Sequence, residues 1–364
     1  MHSIVLENVT KRFGDTVVID RLNLQIRKGE RLILLGSSGC GKSTILRMIS
    51  GLETISDGTL YLNGTVANDI DPGDRGVAMV FQNYALFPHM TIAENISYGL
   101  RIRKVAEDEI RRRIDKALEL LRLTGLADRL PKQLSGGQRQ RVALARALVN
   151  QADFFFLDEP LSNLDAQLRA HARKELVKIH EMYGQTFLYV THDQIEAMTV
   201  GQRIAVLDQG KVQMLDTPQR VYHRPANRFV ATFIGSPAMN MIPVRYTNEG
   251  IVLNEVTVAH SADWRQHLGA AASEPTEMGI RPEHVELTNE AVSGAVPVKV
   301  DYVEDYGNRV AYYFAVNGVE TVAVAPMHTI SSDVPTYWVP NAHRLHFFAQ
   351  DGVNVGYPST WEKL

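Results

Sequence analysis

The sequence predicts an α/β domain with a largely parallel central sheet, followed by a small all-β domain of barrel type. Three observations carry this expectation. Gly36-Ser37-Ser38-Gly39-Cys40-Gly41-Lys42-Ser43 fits the phosphate-binding pattern G-x-x-x-x-G-K-[ST], between an apolar run at 32–35 and a helix-like stretch at 44–49. From residue 1 to about 235, apolar strand-like runs alternate with segments of helical periodicity, as in a parallel sheet covered by helices. After Gly235-Ser236-Pro237 the chain changes to short β-type runs broken by Gly, Asn, Pro and Asp. The boundary falls near 236, giving domains 1–236 and 237–364.

The elements follow in chain order. Runs 4–9, 17–26 and 59–62 read as strands between polar turns, and 77–81 is a further short apolar run. Ile110, Ile114, Leu118 and Leu121 recur at helical spacing within 107–123. Residues 138–149 form a second helix with basic residues on one face, and 154–157 is a buried strand. Leu164, Leu168, Ala172, Leu176 and Ile179 make one helical stripe. Runs 187–190 and 204–207 are strands, the latter turning at Asp208-Gln209-Gly210. In the second domain, 251–253, 256–258, 298–303, 310–316 and 321–324 are the β-type runs.

Composition bounds the function. The 364 residues suit two domains, and the net charge of -3 gives no support for a nucleic-acid partner. A single cysteine, Cys40, excludes an internal disulfide and fits a reducing compartment. No apolar run approaches the ~18 residues that a membrane span requires, and the N-terminus lacks a signal-peptide pattern. The chain is expected in the cytoplasm, with any membrane link made through a partner.

The loop dictates its own chemistry. Its glycines let backbone N–H groups converge on phosphate oxygens, and the following helix N-terminus adds partial positive charge. Lys42 can reach the β- and γ-phosphates, and Ser43 can hold Mg²⁺. The apolar run 154–157 ends in Asp158-Glu159, which delivers carboxylates to the sheet edge beside the loop. Asp158 suits Mg²⁺, and Glu159 suits orienting or deprotonating the attacking water. Leu134-Ser135-Gly136-Gly137-Gln138 opens a helix; read alone, it is equally a second anion nest or an ordinary cap with Ser135 as N-cap. Cys40, at a helix N-terminus, is expected to have a lowered pKa and to react with alkylating agents, with loss of activity and protection by ATP.

With these residues in view, the chain resembles an ATP-binding cassette (ABC) ATPase, a P-loop NTPase. Residues 134–138 match that family's signature, Ser162-Asn163-Leu164-Asp165 its D-loop, Gln82 its Q-loop and His192 its switch histidine. Phe13 sits where an aromatic residue stacks on adenine, although it also suits a core position at a strand end. The nearer resemblance is to the ATPase subunits of carbohydrate importers of the maltose and glycerol-3-phosphate type. Phe81-Gln82-Asn83-Tyr84-Ala85-Leu86-Phe87-Pro88-His89-Met90 and Thr191-His192-Asp193-Gln194-Ile195-Glu196-Ala197-Met198 are similar to that subgroup. Phe233-Ile234-Gly235-Ser236-Pro237 resembles its interdomain junction, and Gly279-Ile280-Arg281-Pro282-Glu283-His284 a marker within an oligonucleotide/oligosaccharide-binding (OB)-like barrel.

The resemblance implies ATP and Mg²⁺ as cofactors. It implies catalytic roles for Glu159, His192 and Lys42, and metal contacts from Ser43, Gln82 and Asp158. Nucleotide contacts would come from Phe13, Gly36, Ser37, Ser38, Gly39, Cys40, Gly41, Lys42, Ser43, Thr44, Gln82, Asp165 and His192, with Ser135, Gly136, Gly137 and Gln138 acting across a head-to-tail homodimer. The implied partners are multi-span permease subunits, indirectly a periplasmic or extracellular solute-binding protein, and a cytoplasmic regulator at the C-terminal domain. The implied location is the cytoplasmic face of the inner membrane, held there peripherally through the permease. Tyr84, Phe87 and Tyr98 are expected to form a groove for a permease helix. Against this importer motor stand a soluble ABC ATPase, an exporter and a scaffold with incidental ATPase. The span from Lys42 to Ser135 holds no sustained heptads, unlike repair-type cassettes with a long coiled coil.

Overall fold

A computed structural model of the chain describes residues 2–247, 249–259, 261–269, 271, 274–327 and 336–363. The chain divides into two compact units, one running to Gln219 and the other from Arg220.

In the first unit, β1 (His2–Phe13) and β2 (Thr16–Arg27) form a long antiparallel hairpin. Then β3 (Arg31–Gly36) leads through the glycine loop into α1 (Lys42–Ser50). The strands β4 (Asp57–Leu62) and β5 (Thr65–Val66) extend the hairpin into a sheet of order β2-β1-β4-β5. After β6 (Val77–Val80) come three helices, α2 (Ile92–Ile102), α3 (Glu107–Leu120) and α4 (Gly136–Leu148). The remainder is β7 (Phe154–Asp158), α5 (Ala166–Tyr183), β8 (Thr186–Thr191), α6 (Gln194–Val200), β9 (Arg203–Asp208) and β10 (Lys211–Asp216).

The second sheet has the order β10-β9-β3-β8-β7-β6. All its pairs are parallel except β10 on β9. Every residue of β7 and β8 is buried, which is why these strands read as unbroken apolar runs. Ile45, Leu46, Met48 and Ile49 of α1 share one core with Leu32, Leu34, Phe154, Phe156, Leu188 and Val190 of this sheet and Ile4, Leu6, Ile19 and Leu24 of the other. Thus α1 lies between two sheets, and the loop before it is fixed by packing on both sides.

The expected helix at 107–123 ends at Leu120, and the one expected at 138–149 begins two residues earlier, at Gly136. The sequence reading passed over α2 and α6. α2 is started by a capping box between Thr91 and Glu94, and buried Asn95 bonds the carbonyls of Phe87, Met90 and Thr91 and the N–H of Phe87. Those bonds fix the proline-containing loop ahead of the helix. No helix among the described residues is long and apolar enough to cross a membrane.

The second unit is built from short antiparallel sheets. One joins Asn240–Pro243, Glu277–Ile280 and Leu345–Phe348; another joins Val300–Asp305, Arg309–Val316 and Val319–Pro326. Ile242, Met278, Ile280, Phe314, Trp338 and Phe347 fill its core. Helix Ala262–Gly269 interrupts the all-β pattern expected for 237–364 and buries Trp264 and Leu268, and a short helix, Arg228–Phe233, precedes that span within the unit. Arg281 is 1% exposed. Its guanidinium donates to the carbonyls of Tyr222, Ala231 and Ile234 and stacks 4.2 Å from the Tyr222 ring centroid. It therefore ties the segment after Gln219 to this unit's barrel strands, and burial lowers its pKa.

All three tryptophans, Trp264, Trp338 and Trp361, lie in this unit, so their fluorescence reports its unfolding. Arg281→Met strands three carbonyl acceptors and is expected to destabilise the unit by about 3 kcal/mol or more. Urea titration of the full chain followed by tryptophan emission measures this, and an unchanged midpoint would disprove the role given to Arg281.

Candidate ATP site

The site forms where β3, β7 and β8 end, at the carboxyl edge of the parallel sheet, the usual ligand position in such folds. β3 stops at Gly36, where an added Cβ would lie 2.4 Å from the Leu207 carbonyl oxygen and 2.6 Å from Cys40 Sγ. Gly41, the N-cap of α1, has φ of 103°, and a Cβ there would meet Ile19 Cδ1 at 2.5 Å. Only glycine suits either place. The first turn of α1, from Lys42, presents backbone N–H groups that have no partner within the helix. Lys42 Nζ folds back over the loop and donates to the carbonyls of Gly36 (2.9 Å) and Ser37 (2.7 Å).

Ser43 Oγ donates to Asp158 Oδ1 at 2.9 Å, so the two motifs meet. Glu159 follows at the end of β7 with φ of 46°, a left-handed conformation costing a non-glycine residue roughly 1–2 kcal/mol. Its N–H donates to the Val190 carbonyl at 3.0 Å, and its carboxylate lies between two other predicted residues. Gln82 Nε2 donates to Oε2 at 3.2 Å, and His192 Nδ1 lies 3.2 Å from Oε1. Glu159 thus combines a strained backbone with a carboxylate bracketed by an amide and an imidazole.

The other predicted residues stand apart from this cluster. The Phe13 ring is 48% exposed with Lys11 Nζ 4.7 Å from its centroid, so the core alternative for it does not hold. Ser135 and Gln138 form a capping box: Ser135 Oγ accepts from the Gln138 N–H, and Gln138 Oε1 accepts from the Ser135 N–H. Among the described residues no hydrogen bond or ion pair joins residues 135–138 to the phosphate loop or to Glu159. Asp165 caps α5 by accepting from the Leu168 N–H.

Two expectations are corrected. Cys40 is 5% exposed, and burial raises its thiol pKa despite Lys42 nearby, so desolvation outweighs the helix N-terminus. Tyr84 is 5% exposed and does not line the expected groove. The cleft of about 450 Å³ is lined instead by Phe81, Ala85, Phe87, Tyr98, Arg103 and Ala147 among others.

The sequence reading missed residues that hold the site's loops. Arg146 of α4 donates to the carbonyls of Tyr84 (2.8 Å) and Ala85 (2.6 Å), both in left-handed backbone just after Gln82. Asn163 Nδ2 donates to the Gln82 carbonyl at 2.9 Å. The only signals were the basic face of α4 and the match at 162–165. For Mg²⁺, Ser43 Oγ and Asp158 offer adjacent hard oxygen donors, a fit that leaves most ligands to phosphate and water. Among the described residues no group of three or more His, Cys, Asp or Glu could hold a metal alone.

A mononucleotide-type sheet with a second helix N-terminus, serine-capped and opening on Gly136-Gly137, and a histidine turn defines the ATP-binding cassette class. Residues 19–162 match the family description ABC transporter. The later chain matches the MalK OB fold domain at 235–285 and the TOBE domain at 278–348. The sn-glycerol-3-phosphate import ATP-binding protein UgpC of Ruegeria pomeroyi is 46% identical over 352 residues, covering 96% of this chain and 97% of that protein. The maltose/maltodextrin import ATP-binding protein MalK of Vibrio cholerae is 45% identical, covering 97% and 96%. The dimeric cassette MJ0796 bound to ADP and Pi superimposes with a TM-score of 0.54 at 34% identity, covering 59% of this chain and 98% of that one. The chain belongs to the family of ATP-binding subunits of ABC importers that includes MalK and UgpC; it is an ATPase.

Burial raises the pKa of Asp158, partly opposed by the Ser43 hydrogen bond. A carboxyl with a raised folded-state pKa adds stability in its protonated form, which is lost as pH rises through that pKa. Asp158→Asn is therefore expected to raise the unfolding temperature at pH 7.5 without nucleotide, with the gain vanishing below the ordinary carboxylate range. A pH series by calorimetry tests this, and a variant less stable at pH 7.5 would refute it.

Proposed function

We propose that this chain is the motor of an importer for a carbohydrate, a polyol or a sugar or glycerol phosphate. Similarity to UgpC and MalK over nearly the whole chain supports the solute class. The observation that carries the mechanism is the bracketing of Glu159 by Gln82 and His192 beside the Ser43–Asp158 pair.

In this reading the N–H groups of residues 39–44 and Lys42 neutralise the phosphates, and Phe13 stacks on adenine. Ser43, Asp158 and Gln82 would hold Mg²⁺, which supplies charge neutralisation between the phosphate oxygens. Glu159 takes the proton from the attacking water, and His192 donates to the γ-phosphate. Residues 135–138 of one protomer close over the nucleotide held by the other, in a head-to-tail C2 dimer that includes Asp165. ATP favours the closed dimer, and hydrolysis reopens it. Phe87 and Tyr98, with ring centroids 4.6 Å apart, belong to a cleft suited to a permease helix. That contact would hold the chain at the cytoplasmic face of the membrane, with a solute-binding protein on the far side. The domain division 1–236 and 237–364 remains part of this reading, the second domain adding dimer contacts and a site for a regulator.

Glu159→Gln is expected to keep ATP affinity and to slow hydrolysis roughly 10²–10⁴-fold. With ATP it should also run as a dimer on size exclusion. Near-normal turnover would remove Glu159 from its role. Gentle solubilisation of native-host membranes should bring down multi-span permease subunits with the tagged chain; recovery only from the soluble fraction would favour a soluble ABC ATPase.

A further inference from the structure

The hydrogen bonds about Glu159 do not end at Gln82 and His192. Gln82 is held a second time, through its carbonyl, by Asn163. Asn163 precedes Leu164, whose carbonyl accepts from Arg169 Nη2 at 3.1 Å. Arg169 Nη1 donates to Asp193 Oδ2 at 3.0 Å, and Asp193 follows His192 in the chain. The path therefore closes on itself: Gln82, Glu159, His192, Asp193, Arg169, Leu164, Asn163 and back to Gln82.

Each side of the Arg169 contact is itself fixed. Asp193 Oδ1 caps α6 by accepting from the Glu196 N–H, and the Asp193 N–H donates to Thr191 Oγ1, each at 3.0 Å. Glu196, 2% exposed, accepts from Tyr189 Oη and Thr191 Oγ1 at 2.7 Å each, and its Oε1 lies 3.9 Å from Arg169 Nε. The histidine turn is thus a rigid piece anchored to β8. The 162–165 turn is anchored to α5 by the Asp165 cap. Arg169 bonds both pieces, and the two N–H groups of its planar fork reach a carbonyl and a carboxylate at a fixed spacing that the single nitrogen of an ammonium does not reproduce.

We propose that Arg169 is a positioning residue that holds His192 and the Asn163–Leu164 turn in one register about Glu159. Arg169 touches no reacting atom; it acts through Asp193 and Leu164. The inference rests on the catalytic reading of Glu159 above. Arg169 is partly exposed, with its side chain 29% accessible, and so is Asp193 at 20%. Truncating Arg169 leaves Asp193 in reach of water but takes a cation away from buried Glu196, so turnover is read against the folded fraction.

The test is steady-state ATP hydrolysis and nucleotide affinity on the full chain for Arg169→Met, Arg169→Lys, Asp193→Ser and the Met/Ser double variant. Serine keeps the cap of α6 while removing the carboxylate that takes the guanidinium. Arg169→Met is expected to lower kcat about 10- to 100-fold, as small misplacements of reacting groups do, with ATP affinity within about twofold of the parent. Lysine restores part of the loss. The double variant loses no more than the worse single variant, because both break one link. Unchanged kcat in Arg169→Met, losses that multiply in the double variant, or a loss that tracks the folded fraction by circular dichroism would overturn the proposal. Glu159→Gln runs alongside. Slow Glu159→Gln with normal Arg169→Met defeats this inference alone, whereas normal Glu159→Gln defeats the catalytic reading and this inference with it.

Discussion

The site depends on the register of three parallel strands. Leu35 of β3 pairs with Thr191 of β8, and Asp158 of β7 pairs with Val190. This alignment brings the phosphate loop, the paired acids and the histidine turn to one edge of the sheet. The strands are buried on both faces, so a slip of one residue would exchange the side chains packed on either face and carry Asp158 and Thr191 away from their places at the edge. The Glu159 N–H continues the ladder one step past β7 by bonding the Val190 carbonyl, which pins the strained residue against β8. Chemistry and core packing are in this sense one constraint.

Legibility in the sequence followed locality. The phosphate loop could be read because its glycines, lysine and serine are adjacent and its requirements are met within one turn. The Asp158-Glu159 pair could be read because an apolar run stops abruptly at acids. The bonds of Arg169, Arg146 and Arg281 could not, even though Arg281 stands within the 279–284 match, because an arginine declares nothing about its acceptors, and theirs are carbonyls and carboxylates set by the tertiary fold. Cys40 and Tyr84 misled for the same reason, since their depth is fixed by neighbours distant in sequence. Helix Ala262–Gly269 is short and flanked by β-type runs, so composition around it pointed the other way.

Buried charge in this chain is spent on backbone acceptors as much as on opposite charge. Lys42 rests on two loop carbonyls, Arg75 on the carbonyls of Met48, Ile49, Asn68 and Ile70, and Arg281 on three more. Arg75 and Arg281 have lowered pKa values through desolvation, yet a guanidinium stays charged at any ordinary pH. Such cations lock loops that no regular hydrogen-bond ladder would hold. Lys42 differs in being a flexible ammonium, which can exchange its carbonyl partners for phosphate oxygens with little movement of the loop.

The capping box at the start of α4 has a chemical asymmetry. A serine hydroxyl carries one proton and two lone pairs. Ser135 commits a lone pair to the Gln138 N–H, which leaves its proton free to point away from the helix. The residue can therefore terminate its own helix and offer a donor to an anion at the same moment. An aspartate would cap as well but would offer only a negative charge, and an alanine would do neither. Cap and anion contact, which looked like competing readings of Ser135, draw on different parts of one hydroxyl group.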